Sequence, residues 1–223
     1  MSIQDSPAEQ PVVRSATQAA SSVFDVVEEE FSFADTTLTR MYAKHLSAVA
    51  VVAVDEEDRV LMINQYRHPV RSRMWEFPAG VLDDAQETMQ EAAARELHEE
   101  ADLTAETWST LVDFHPSPGM SDEGIRIYLA QGVSEVPESR RHTREAEESE
   151  IITRWVPLPE AVQAVLGGHL HNGVAVVGIL ALNALRSGTT TGTTSARSSN
   201  GTTSLQPRDV KAPWANHPRG FTV

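Results

Sequence analysis

Glu96, Glu99 and Glu100 stand within a stretch, residues 80–103, that is rich in helix formers. At about 100° per residue the three carboxylates fall on one stripe, with Ala93, Leu97 and Ala101 on the neighbouring face. One face of such a helix can pack while the other presents several negative charges a turn apart. Like charges at that spacing repel. A hard divalent cation held between them resolves the repulsion. The plainer alternative is a solvated acidic helix face, which is what most charge runs are.

The elements that must position these groups can be read from the chain on either side. Thr88 followed by Glu91 is a capping-box signature and predicts the helix start there. Residues 1–20 are rich in Ser, Ala, Gln and Pro, and residues 1–22 read as a disordered tail. Residues 23–27, 31–33 and 36–42 are β-branched and aromatic, broken by Glu28–Glu30 and by Ala34 and Asp35, and predict an N-terminal antiparallel segment. The continuous apolar run 47–54 predicts a central strand, with 59–66 returning beside it after an acidic turn.

Residues 75–80 form a short extended piece leading into the acidic helix. Beyond it, 108–114, 125–130 and 151–156 predict three more strands, with a Pro- and Gly-containing loop at 115–124 and an exposed charged loop at 134–150. Pro157 opens a helix to about Leu166, stopped by Gly167 and Gly168. Asn172 caps a last helix over 173–186, apolar nearly all round and so expected to be buried, at an interface among other places. From Ser187, Thr, Gly and Ser dominate, and 187–223 reads as a low-complexity disordered tail in which Trp214 is read as a passenger aromatic, with a docking residue as the alternative. The order predicts an α+β domain over residues 23–186, a mixed β-sheet flanked by helices.

The whole stretch from Gly80 to Leu103 resembles the Nudix box, Gly-x5-Glu-x7-Arg-Glu-U-x-Glu-Glu-x-Gly-U, with U a bulky aliphatic residue. Glu87 is followed after seven residues by Arg95-Glu96-Leu97-His98-Glu99-Glu100, a full match to its catalytic half. Two departures stand out: the Gly80-to-Glu87 loop is one residue longer than the pattern, and Asp102 replaces the usual glycine. Aspartate tolerates a left-handed backbone better than most residues, so a helix end there remains feasible. Neither departure removes a carboxylate.

Over residues 23–186 the chain looks most like the ADP-ribose pyrophosphatase branch of the Nudix hydrolases. Gln65-Tyr66-Arg67, Trp75-Glu76-Phe77-Pro78-Ala79-Gly80 and the 117–123 segment carry that likeness, as does Pro118, sixteen residues beyond Asp102. The resemblance implies a Nudix-type α/β/α sandwich in which residues 23–46 serve dimerisation. It implies hydrolysis of ADP-ribose to AMP and ribose 5-phosphate with two or three Mg2+ or Mn2+ ions. The metal ligands would be Glu96, Glu100 and the carbonyl of Ala79, with Glu99 contributing or standing behind them. Arg95 matches a structural arginine that holds a glutamate, against the plain alternative of a surface ion pair.

The catalytic base is expected from the 140–150 loop. Glu148 is favoured, with Glu147 and Glu150 as rivals and a solvated charge run as the bland alternative. Arg67 matches a residue at the diphosphate, Glu123 one beside the loop proline, and Arg40 one supplied by a neighbouring subunit. Glu76 is expected to touch adenine or order the site, and Trp75 or Phe33 to stack on the base or to serve the core or surface. Other nucleoside diphosphate sugars remain alternative substrates, and a non-catalytic ADP-ribose sensor is the alternative from another class.

An acidic enzyme acting on a phosphorylated substrate must mask its own repulsion locally, which bound metal and a few placed arginines would do. The formal net charge of −14 argues against general nucleic-acid or anionic-membrane binding. No cysteine is present, so thiolate metal sites and disulfides are excluded, which fits a cytoplasmic setting. The eight histidines show no metal-binding spacing. A homodimer with a small-molecule substrate, and neither nucleic-acid nor membrane partners, is the expected assembly.

Overall fold

β4 (Ala48–Ala53) is the strand around which the layers form. It pairs in parallel with β9 (Ile125–Glu135) and antiparallel with β7 (Ala79–Val81), and β8 (Leu103–Phe114) closes the sheet as β7-β4-β9-β8. Because β4 is covered on both faces its apolar run is continuous rather than alternating. Val49, Val51 and Ala53 pack with Met89, Ala93 and Leu97 of α1 (Met89–Ala101). Ala50 and Val52 pack with Ala161 of α2 (Leu158–Leu166) and with Ala175, Ile179 and Leu182 of α3 (Gly173–Thr189). Two apolar cores thus lie on opposite faces of one sheet, the α/β/α arrangement expected from the sequence.

The computed structural model describes residues 3–144, 146–189 and 205–214, with 146, 147 and 189 described in their backbone only. A second sheet runs β10-β5-β6, from β10 (Ile152–Pro157), β5 (Arg59–Arg67) and β6 (Ser72–Glu76). A third, β1-β2-β3, is the N-terminal antiparallel segment, made of β1 (Val12–Ala20), β2 (Phe24–Phe33) and β3 (Thr36–His45). Among the described residues no helix is long and apolar enough to cross a membrane.

The structure departs from the sequence expectations at both ends. β1 lies inside the segment read as a tail. It is exposed almost throughout and held by backbone pairing to β2, with Arg14 donating to Glu28 at 2.9 Å and Ser15 to Glu29 at 3.1 Å. Glu28–Glu30 do not break the strand, because each sits in register between β1 and β3 partners. Residues 205–214 also leave the expected tail. Arg208 and Thr110 exchange backbone hydrogen bonds at 3.0 Å, and Ala212 is buried. Trp214 lies 5.8 Å from the Arg126 guanidinium and 5.5 Å from the His115 ring, a docking residue rather than a passenger. Residues 190–204 and 215–223 lie outside the described residues. α3 buries one face only, and Leu180 on the other is exposed.

Candidate active site

α1 begins where the capping box predicts. The Thr88 N–H donates to Glu91 Oε2 at 2.8 Å and the Glu91 N–H to Thr88 Oγ1 at 3.2 Å. Packing of Met89, Ala92, Ala93, Leu97 and Ala101 on the sheet fixes the rotation of the helix and carries Glu100 inward with them. Glu100 is 5% exposed. Its Oε2 accepts from the Ala79 N–H at 2.9 Å, so Ala79 reaches the carboxylates through its N–H. Gly80 lies against Glu96, and a β-carbon there would overlap the Glu96 carboxylate, which gives the glycine a physical reason.

Arg95 is no simple surface pair. Its Nη2 donates to Glu87 at 3.1 Å, its Nη1 to Glu96 at 2.5 Å and to Glu99 at 3.4 Å. One guanidinium therefore braces the Glu87 loop against two of the helix glutamates, and Glu96 can hold only a narrow range of orientations.

Burial pushes Glu100 up to about 8, with Glu96 and Glu148 adding to the rise and the Ala79 N–H and Arg67 opposing it. Burial also raises Glu96, against the pull of Arg95 and with a further push from Glu99 and Glu148. Both effects put Glu148 within electrostatic reach of Glu96 and Glu100, on the short 3-10 turn Ala146–Glu150. Glu150 turns away and pairs with Arg73. The side chain of Glu147 is outside the described residues.

Buried Glu100 and partly buried Glu96, within electrostatic reach of Glu148 and with little positive charge to balance them, fit a hard divalent cation with oxygen ligands. Among the described residues no three Asp, Glu, His or Cys side chains gather closely enough to hold a metal ion. Glu96 and Glu100 lie on α1, and the Glu148 turn approaches them from outside the helix.

Arg67, on β5, donates through Nε and Nη2 to Glu76 on β6, the shortest contact being 2.8 Å. Glu76 is buried, and its carboxylate holds the Arg67 guanidinium. Trp75 packs against the apolar core, and Phe33 is exposed at the tip of the β2–β3 hairpin.

The 115–124 loop is pinned at both ends. Asp122 Oδ1 accepts from the His45 N–H at 2.6 Å, Ser47 Oγ accepts from the Gly124 N–H at 3.2 Å, and the His115 ring meets the Glu123 carbonyl at 2.8 Å. Glu123 lies 3.7 Å from His45 and is raised by burial, with His45 opposing. Between β3 and this loop runs a groove of about 600 Å³ lined by Arg40, Tyr42, His115 and Pro118 among others. Arg40 thus faces Pro118 within one chain, and its Nη1 donates to the Thr39 carbonyl at 2.8 Å.

His45, Ser47 and Asp122 were not singled out from the sequence. Their contacts join residues 77 apart, and the one local cue, the left-handed backbone of Ser47 (φ 65°), is not a sequence signal.

Residues 44–173 match the NUDIX domain family. The chain is 40% identical to an ADP-ribose pyrophosphatase of Mycobacterium tuberculosis over 83% of this chain and 81% of that one. It is 37% identical to an ADP-ribose pyrophosphatase of Bacillus subtilis over 56% of this chain and 66% of that one. A solved structure described as an ADP compounds hydrolase superposes with a TM-score of 0.66, covering 83% of this chain and 98% of that chain. At 21% identity that likeness speaks for the fold.

Proposed function

The chain belongs to the Nudix hydrolase family, and from that premise we propose that it hydrolyses the diphosphate of ADP-ribose to AMP and ribose 5-phosphate. The observation that carries this reading is the convergence of buried Glu100 and partly buried Glu96 with the Glu148 turn, beside Arg67. Glu96 and Glu100 would hold Mg2+ or Mn2+, with Glu99 and Ala79 adjoining. Such an ion, when bound, supplies charge withdrawal at phosphorus and activation of water.

The chain's own residues supply the rest. Glu148 accepts the proton of the attacking water, or orients that water, as the new P–O bond forms and the bridging P–O bond breaks. Arg67, held by Glu76, stabilises the phosphate oxygens. Arg95 keeps Glu96 in register. Pro118 and Glu123 line the substrate end, and Arg40 completes it within the groove of its own chain or from the partner in a homodimer built on the β1–β3 sheet. A cytoplasmic setting fits a chain without cysteine.

Comparison of kcat/KM for ADP-ribose, ADP-glucose and GDP-mannose, with Mg2+ and with Mn2+, tests the substrate. ADP-ribose is expected to lead by at least about tenfold, since the binding site, rather than the diphosphate chemistry, discriminates the sugar. A lead for another sugar reassigns the substrate, and tight binding of ADP-ribose without cleavage establishes the sensor reading instead.

A further inference from the structure

The box has glycine where this chain has Asp102, and the proposed chemistry makes no use of the new carboxylate. Asp102 closes α1 with φ 55° and ψ 36°, a left-handed conformation that glycine adopts without strain and aspartate with some. Its side chain is nonetheless engaged. Oδ2 accepts from Arg144 Nη2 at 2.5 Å, and Oδ1 is buried without a hydrogen-bond partner among the described residues. A second arm of the same arginine, Nε, donates at 2.8 Å to the carbonyl of Glu99, one of the last-turn carbonyls that a helix leaves unsatisfied. One turn back, His98 Nε2 meets the carbonyl of Arg140 at 3.1 Å.

Three successive features of the metal helix therefore hold residues 140 and 144, on the segment that continues into the Ala146–Glu150 turn. An exposed ion pair would carry little weight. Here both side chains are only 20% exposed, and the cation also sits at the negative end of the helix dipole. We propose that Asp102 and Arg144 form a latch that positions the Glu148 turn over Glu96 and Glu100, the aspartate being the counterpart of Arg144. Both are positioning residues. The inference rests on the assignment of Glu148 as the base.

Three variants test it: Asp102→Gly, which restores the residue usual in the box, Arg144→Ala, and the two combined. Arg144→Ala leaves a partly buried carboxylate unpaired beside the helix C-terminus and lowers Tm. Adding Asp102→Gly removes that charge and restores Tm. With ADP-ribose and Mg2+, each single change is expected to lower kcat by about tenfold, the scale of one charge-assisted hydrogen bond, with little change in KM. The double variant should be no slower than either single one, because the two act as one unit.

Wild-type kcat in Asp102→Gly overturns the latch. So does a double variant that recovers kcat together with Tm, because the pair would then be structural only. Glu148→Gln, measured alongside, separates this inference from the one beneath it. If that variant keeps wild-type kcat, the base assignment fails and the latch is judged by amide exchange over residues 138–150. Faster exchange in Asp102→Gly then supports it, and unchanged exchange overturns it.

Discussion

In the metal-free protein, burial holds the Glu100 carboxyl protonated up to about pH 8, whereas in the unfolded chain it ionises near its ordinary value of 4.5. Between those values the folded state keeps a proton that the unfolded state has released. Stability contributed by Glu100 is therefore present at low pH and lost as pH rises through about 8. The metal-free protein is expected to show a Tm that falls from roughly pH 5 to 8.5, a slope that Glu100→Gln makes shallower, Glu96 and Glu123 supplying the rest. Added Mg2+ should protect more at the alkaline end, where the carboxylate must ionise to bind it. A thermal-shift series over pH with and without Mg2+ reads this directly, and an identical slope in Glu100→Gln would contradict it.

Much of the residue-level site is legible in the sequence because a single helix fixes it. The spacing of Arg95, Glu96 and Glu100 determines their relative placement wherever the helix lies. Asp102 with Arg144 was not legible, since the partners are 42 residues apart and nothing periodic links them.

Elements defined by burial were read well, and those held by pairing alone were not. β4 betrays itself by its apolar run, and α1 by its cap and its packed face. β1 has no apolar period, because its stability comes from the backbone bonds and cross-strand pairs it makes with β2. Residues 205–214 stay attached for a different reason. They meet the edge strand β8 where Arg126, fully buried on β9, forms a two-pronged pair with Asp113 at 2.7 and 2.9 Å. Arg208 reaches the same carboxylate at 2.9 Å. Asp113→Ala would strand a buried guanidinium and is expected to cost about 3–5 kcal/mol. Chemical denaturation measures that loss, and a cost below about 1 kcal/mol would contradict the picture of the pair as a buried junction.

At the scale of the whole molecule, one sheet separates two apolar cores, and the carboxylates lie where α1, β7 and the turn before β10 meet. The α+β layering was legible because runs and periods alternate along the chain in the right order. The assembly was not, because the β1–β3 sheet exposes Val13, Phe24, Phe33 and Met41 without any signal of what covers them. A homodimer through this sheet predicts sedimentation at twice the 24.4 kDa chain mass. Sedimentation as a monomer would confine Arg40 to the groove of its own chain.

Single-turnover hydrolysis of ADP-ribose by wild type and Glu100→Gln over a Mg2+ titration tests most directly the proposal that Glu96 and Glu100 bind the ion that drives diphosphate cleavage. The wild type should release AMP and ribose 5-phosphate in equal amounts with saturable Mg2+ dependence. Glu100→Gln should be slower by at least about a hundredfold, the upper end of what is lost when a group merely supporting a metal ligand is removed. Full Mg2+-dependent turnover by Glu100→Gln would contradict the claim.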